Sequence, residues 1–545
     1  MALLAAACGS SGDSGSKKDA ADTTLIAYTG QSSDYQSNFN PYGSGIIGGI
    51  GTIFEPLFYS NVLKADPPEP RLGTGYSWNA DGTQLSITLR QGVQWSDGQA
   101  FTSRDVIFTL DLLAQHPEMN GIGYDGEATA PDDTHVIVKF KQPAFVRGPQ
   151  ILGRVYIVPE HTWKDLKTPA TETINNPVGT GPYTLAEFKA QAFTYAANPH
   201  YWGGEPAVKK VRFLALSGNQ SGEQAMRAGQ VDWQTNPIPG LKSIEKNYPG
   251  YKAIIVPLNQ MVLDTCSSAA LGCTGPQTDA AVRRAIYYGL NRSQINALAF
   301  EDAGSEISPG FGLLKRDTAT ISAKLQDRTA PMQPDVAKAQ QLLQGAGYTR
   351  TADGTYAKDG RPLALTVKTV SGWADYITAA NTMKQQLKQV GIDLTVEQLS
   401  WNEWTAQRQG GNFQLIVDSL NQGPAPDPYY LYSNSFGTGG TAKVGGKAVT
   451  NWSRFSDPQV DEELTALTQL DPKNASARQP HLDAIQTRIE QAMPYIPVLT
   501  QGTVTEYRAA KFTGWPTEND MYAFPAVWQT PDNAEVMKRL KPAGK

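Results

Sequence analysis

The sequence predicts an α/β protein of several lobes, with mixed sheets flanked by helices. Three observations carry that expectation. The chain has 545 residues, more than one hydrophobic core usually serves. Between Pro362 and Asp418 the apolar pattern switches from period two to a helical period and back. No segment recurs at a fixed interval, which sets solenoids and propellers aside.

The elements follow in order. Residues 25–28 form a short strand. Gly43-Ser-Gly-Ile-Ile-Gly48 matches the dinucleotide pattern in form, but Asn-Phe-Asn-Pro-Tyr precedes it where a buried strand is required. It reads as a loop entering a helix. Residues 84–89 alternate as a strand, and Ser96-Asp-Gly98 supplies a turn. A helix over 104–115 starts at Thr102, with Asp105 three residues on, and buries Val106, Ile107, Leu110 and Leu113. Strands follow at 136–140 and 156–158, then Gly/Pro turns at 176–183 and 198–202. A helix at 222–229 precedes strands at 231–233 and 253–258. Helices at 278–291 and 336–345 lead to a strand at 362–370, a helix at 377–390 stopped by Gly391, and strands at 392–396 and 413–416. A short helix lies near 401–409. Helices at 461–467 and 475–492 and an extended stretch at 499–507 complete the chain.

Composition narrows the function classes. A net charge of −5 argues against a nucleic-acid partner. No apolar run reaches the roughly 18 residues needed to span a bilayer. Eleven Trp and 23 Tyr suggest a ligand cleft lined by flat faces. The five histidines, His116, His135, His161, His200 and His481, lack metal-ligand spacing, and no nucleophile elbow or Walker loop is present. A hydrolase with scattered carboxylates is the rival from another class.

The first residues, Met-Ala-Leu-Leu-Ala-Ala-Ala and then Cys8, look like the tail of a bacterial lipoprotein signal. Gly9 to Asp22 carries no large apolar residue and reads as a flexible tether. The expectation is a body outside the cytoplasm, held at the outer face of the cytoplasmic membrane by lipid on Cys8. Cys266 and Cys273 lie seven residues apart; a small disulfide loop is favoured, with a metal pair as the alternative.

Several motifs in fixed order then resemble one family. They are Leu89-Arg-Gln-Gly-Val-Gln-Trp-Ser-Asp-Gly98, Thr102-Ser-Arg-Asp-Val-Ile-Phe108, Gly179-Thr-Gly-Pro-Tyr183, Asn198-Pro-His-Tyr-Trp202 and Ala228-Gly-Gln-Val-Asp-Trp233. In the second half come Thr278-Asp-Ala-Ala-Val-Arg-Arg-Ala-Ile-Tyr-Tyr-Gly-Leu-Asn-Arg292 and Gln386-Leu-Lys-Gln-Val-Gly-Ile-Asp393. Together they are similar to the cluster C, family 5 solute-binding proteins of ABC importers. The family includes oligopeptide-, dipeptide-, nickel- and cello-oligosaccharide-binding members. The resemblance implies a type II-like periplasmic-binding fold with an extra lobe. Lobe I would comprise 23–54, 191–260 and 502–545, lobe II 55–190, and lobe III 261–501. It also implies a monomer without cofactor or catalysis, a ligand enclosed between lobes I and III by hinge closure, and permease subunits as partners.

The ligand is the open question. In peptide-binding relatives an Asp three residues before an Asp-Pro-like pair holds the peptide amine; here that position is Pro424, ahead of Asp427-Pro428. Ser371-Gly-Trp-Ala-Asp-Tyr376 resembles the cello-oligosaccharide subgroup. The expected ligand is therefore a short oligomer, an oligosaccharide ahead of a peptide. The stacking candidates are Trp373, Trp401, Trp404, Trp452, Tyr429 and Tyr430, each of which could instead be core. Asp375, Tyr376, Asn259, Gln260, Asn421, Gln422 and Asp427 are the polar candidates.

Overall fold

The computed structural model describes residues 24–30, 34–43, 47–236 and 238–544, and only the backbone at 401 and 402. Its centre is a ten-stranded mixed sheet. In chain order the strands are β1 (Thr24–Tyr28), β2 (Tyr183–Lys189), β3 (Ala192–Ala197), β4 (Lys210–Leu214) and β5 (Trp233–Gln234). Then come β6 (Lys252–Thr265), β7 (Ala364–Val370), β8 (Asp393–Leu399), β9 (Leu415–Leu420) and β10 (Tyr495–Tyr507). Across the sheet they run β8-β7-β9-β6-β10-β5-β1-β4-β3-β2.

The predicted α/β alternation lies at one end. There β7 pairs in parallel with β8 and β9, and helix α1 (Ala374–Val390) makes the crossover, ending at Gly391 in the left-handed region. At the other end β1 runs parallel to β4 and β5.

The two ends are joined by β6 and β10, antiparallel strands of 14 and 13 residues. Two separate hydrophobic cores meet along them. Ile254, Val256 and Leu258 of β6 and Tyr507 of β10 belong to a first core, with the N-terminal part of the chain and the C-terminal segment. Met261, Val262 and Leu263 of β6 and Tyr495, Ile496, Val498 and Leu499 of β10 belong to a second. The ladder slips where the cores change over, between Pro257 and Asn259 and again between Met261 and Val262. Pro257 has no N–H to give the ladder. Opposite it, Gly502 leaves room for the Ala303 carbonyl, which a Cβ would overlap.

The first core also holds a four-stranded antiparallel sheet of Gly73–Trp78, Gln84–Leu89, Glu127–Asp132 and His135–Lys139, with Gly73–Trp78 at one edge. Helix α2 (Ser103–Gln115) lies against it, and Thr102 and Asp105 close a capping box.

Two expectations change. Residues 156–158 are buried but form no strand: the Ile157 and Val158 N–H groups go to the Glu55 carbonyl and the Thr109 hydroxyl, and no ladder follows. The strands at 253–258 and 499–507 are parts of much longer ones. Cys8 and the tether, and residues 44–46 of the glycine motif, lie outside the described residues. Among the described residues no helix is long and apolar enough to cross a membrane.

Candidate ligand-binding cleft

Two cavities open where β6 and β10 pass from one core to the other. The larger, about 540 Å³, is walled by Thr235 and Asn236 on the first-core side and by Phe300, Glu301 and the first turn of α1 on the other. The smaller, about 300 Å³, is walled by Val62, Phe524 and Gln529 against Arg408, Asp418 and Gln422. Asn259 and Trp528 border both, which makes them neighbouring parts of one cleft. Volumes of this order suit a small ligand.

The sequence fixes each wall locally. Asn259 follows the slip in β6. Gln501, on β10, lines the larger cavity and accepts a hydrogen bond from the Tyr376 hydroxyl at 2.9 Å. Trp528 sits on an anchored segment: the Val527 N–H donates to Thr235 Oγ1 at 3.0 Å, and Asn533 Nδ2 donates to the Val527 carbonyl at 3.0 Å. The indole itself is 42% exposed, with Phe524 edge-on at 5.7 Å.

Both rims are tied. Glu301 and Asp302 take left-handed backbone angles, φ 49° and 65°, just past the helix Arg292–Phe300. From there Glu301 accepts the Gly240 and Leu241 N–H groups at 3.3 Å each, and Asp302 meets Lys242 at 2.5 Å. On the other rim Arg316 donates to the Val62 carbonyl at 2.6 Å and to Gln422 Oε1 at 2.9 Å.

Four charged side chains line the cleft: Glu301, Asp375, Arg408 and Asp418. Arg408 and Asp418 face each other at 2.7 Å. Burial pushes the Asp418 carboxyl up, with Arg408 pulling against it. Asp375 accepts the Tyr376 N–H, and burial raises its carboxyl too. Glu301 is spent on its two backbone donors. The remaining polar groups are neutral, among them Asn236, Asn259, Asn421 and Gln501.

Of the residues singled out in the sequence, Asn259, Asp375, Asn421 and Gln422 border the cleft. Gln260 lies just behind it, fully buried, and accepts from Gln422 at 2.9 Å. The described aromatic candidates border neither cavity. Trp373, at the N-terminus of α1, borders neither cavity; it packs edge-on against Tyr376 at 5.3 Å and Trp404 at 5.4 Å. Trp404 is buried beside the Cys266–Cys273 disulfide. Arg408 lies over both Trp404 and Trp452, at 4.3 and 3.7 Å from their rings. Tyr430 is buried and its hydroxyl donates to the Val146 carbonyl at 2.6 Å, while Tyr429 faces a separate hollow. Asp427 caps helix Pro428–Phe436 and pairs with Arg478 at 2.9 Å. Packing holds Trp373, Trp404 and Tyr430 in these places, and capping holds Asp427. The Trp401 side chain lies outside the described residues. Trp528, Gln501 and the Arg408–Asp418 pair were not singled out in the sequence. An indole in the C-terminal segment, beyond the last strand signal, is the clue that could have pointed to Trp528.

A mixed sheet carried across two cores, with a cleft at the crossover, is the architecture of a type II periplasmic solute-binding protein. Residues 67–442 match the family of bacterial extracellular solute-binding proteins, family 5, middle region, and the chain belongs to that family. It is 28% identical over 406 residues to Protein XP55 of Streptomyces lividans, covering 73% of this chain and 70% of that protein. A putative ABC transporter peptide-binding protein of Brucella ovis is 26% identical over 483 residues, 82% of this chain and 81% of its own length. Among solved structures, a periplasmic oligopeptide-binding protein of Thermotoga maritima superposes with a TM-score of 0.86 at 21% identity, covering 96% of this chain and 99% of that one. Its mannohexaose-bound form superposes at 0.81, with the same identity and coverage. The chain is a solute-binding protein and not an enzyme.

Proposed function

We propose that this protein is the lipid-anchored substrate-binding component of an ABC importer and that it captures a neutral oligosaccharide by closure of the cleft. In this reading the two cores mark lobe I with lobe II (23–260 and 502–545) and lobe III (261–501). Cys8 is the anchor, and membrane permease subunits are the partners.

The observation that carries the neutral ligand is the state of the four charged side chains. Arg408 and Asp418 offset each other at 2.7 Å, Glu301 is held by two backbone donors, and Asp375 accepts the Tyr376 N–H. A peptide brings two charged termini, and each needs an uncommitted opposite charge to offset its desolvation. A sugar brings hydroxyls, which amides satisfy as donors and acceptors, and C–H faces, which an exposed indole covers. Pro424 in place of an amine-binding carboxylate supports the same reading, as does the mannohexaose held by the Thermotoga maritima protein. An oligopeptide is the second reading, favoured by the description of the Brucella ovis relative.

Thermal unfolding against manno-, cello- and xylo-oligosaccharides and di- to pentapeptides tests this. A ligand at about 100 times its Kd adds about 2.7 kcal/mol to the folded state. Stabilisation by sugars is expected; stabilisation by peptides alone overturns the reading.

A further inference from the structure

A third cavity, about 550 Å³, lies beyond the cleft, between the edge strand Gly73–Trp78 and the second core. Tyr76 and Trp78 come from that strand. Tyr76 is 36% exposed, an uncovered aromatic face; Trp78 is fixed by Phe140 and Phe145 at 5.7 and 5.4 Å. Across the cavity stand Asp471, Lys473 and Arg478. Arg478 is 6% exposed, and its Nε has no hydrogen-bond partner among the described residues, although Nη2 is paired with Asp427.

The position of this cavity follows from two shared walls. Loop 421–428 gives Asn421 to Gly423 to the cleft and Ala425 to Pro428 to the third cavity. Segment 60–66 gives Val62 to the cleft and Ser60 and Asp66 to the third cavity. Arg316 ties the two segments together, through the Val62 carbonyl and Gln422. The cleft and the third cavity therefore lie on either side of one seam.

We propose that the third cavity is a distal subsite for the outer rings of an oligosaccharide whose first rings fill the cleft. This rests on the oligosaccharide reading above. Tyr76 would supply the stacking face, and Asp66, Asn79, Asp471 and Lys473 the hydroxyl partners, the same division of labour as Trp528 and the cleft amides. The part of the cleft that borders the seam is its smaller cavity, about 300 Å³, and with the third cavity it suits a chain longer than either one holds.

Titration calorimetry with manno- and cello-oligosaccharides of two to six rings tests this on three proteins: the unaltered chain, Tyr76→Ala and Asp471→Asn. Tyr76 also touches Phe58, whereas Asp471 is exposed and its replacement leaves the core intact. Affinity of the unaltered protein should rise about tenfold from the shortest binding sugar to the hexamer, roughly what one aromatic stacking face supplies. Both variants should lose that rise and keep the affinity for the shortest sugar. Affinity independent of length, or a rise that survives in both variants, overturns the distal subsite and leaves the cleft reading standing. No binding by any sugar overturns both.

Discussion

On the second-core side of the cleft, Trp373 and Trp404 pack on each other beside the disulfide, and Arg408 lies over Trp404 and Trp452. On the first-core side Trp528 is 42% exposed, carried on a segment whose backbone is anchored at Val527. The difference separates two uses of the same side chain. Indoles that fill a core are covered by their neighbours before a ligand arrives. An indole whose flanking backbone is fixed while its ring stays uncovered is preorganised for a partner.

The largest effect should come from the packed side. Trp404→Ala removes a buried ring and should cost about 3–5 kcal/mol of stability, read by denaturant unfolding. A loss below about 1 kcal/mol would mean that the cluster is not the packed unit described. Trp528→Ala should do the reverse: sugar affinity falls about tenfold, about 1.4 kcal/mol, while stability stays within about 0.5 kcal/mol. If unfolding shifts and binding does not, the contrast between the two sides is wrong.

A third effect depends on pH. Asp264 is fully buried behind the Arg408–Asp418 pair, neither carboxyl oxygen has a hydrogen-bond partner among the described residues, and burial, with Asp418 nearby, pushes it well above the usual carboxylate range. The folded state therefore holds its proton over a window in which the unfolded chain has released it. Stability should fall as pH rises through that window, by at most about 1.4 kcal/mol per pH unit for this one proton. Asp264→Asn should flatten that part of the profile and leave sugar affinity unchanged. An unaltered slope in the variant would place the proton elsewhere.

The smallest effect lies on the rim. Lys242 and Asp302 are largely exposed, so Lys242→Ala should cost less than about 1 kcal/mol of closure and lose even that at high salt. Ligand affinity compared at low and high salt reads it directly, and a salt-independent loss would argue against a cross-cleft ion pair.

Much of the fold was legible because its elements obey one local rule each. The Thr102–Asp105 capping box and the Gly391 stop mark helix ends, and the alternation of Leu363, Leu365 and Val367 marks a buried strand. The two long strands were hidden because each serves two cores. Asn259 and Gln260 interrupt the apolar pattern of β6 where one core gives way to the other, and a polar pair reads as a strand's end. The cleft's polar wall was partly legible for the same reason: Asn259 is where the pattern breaks. Its aromatic wall was not. Trp373 follows a strand, as a ligand platform would, yet it is partly buried and packs edge-on against Trp404 and Tyr376. Trp528 comes from a segment with no periodic pattern, so only the folded chain shows that its ring is left uncovered.

The most direct measurement is a calorimetric titration of a manno- or cello-oligosaccharide that stabilises the protein, run on Trp528→Ala and Trp373→Ala side by side. The account predicts about tenfold weaker binding for Trp528→Ala and affinity within about threefold of the unaltered chain for Trp373→Ala. Loss of binding in Trp373→Ala with full affinity in Trp528→Ala would contradict it, and would move the ligand to the packed side of the cleft.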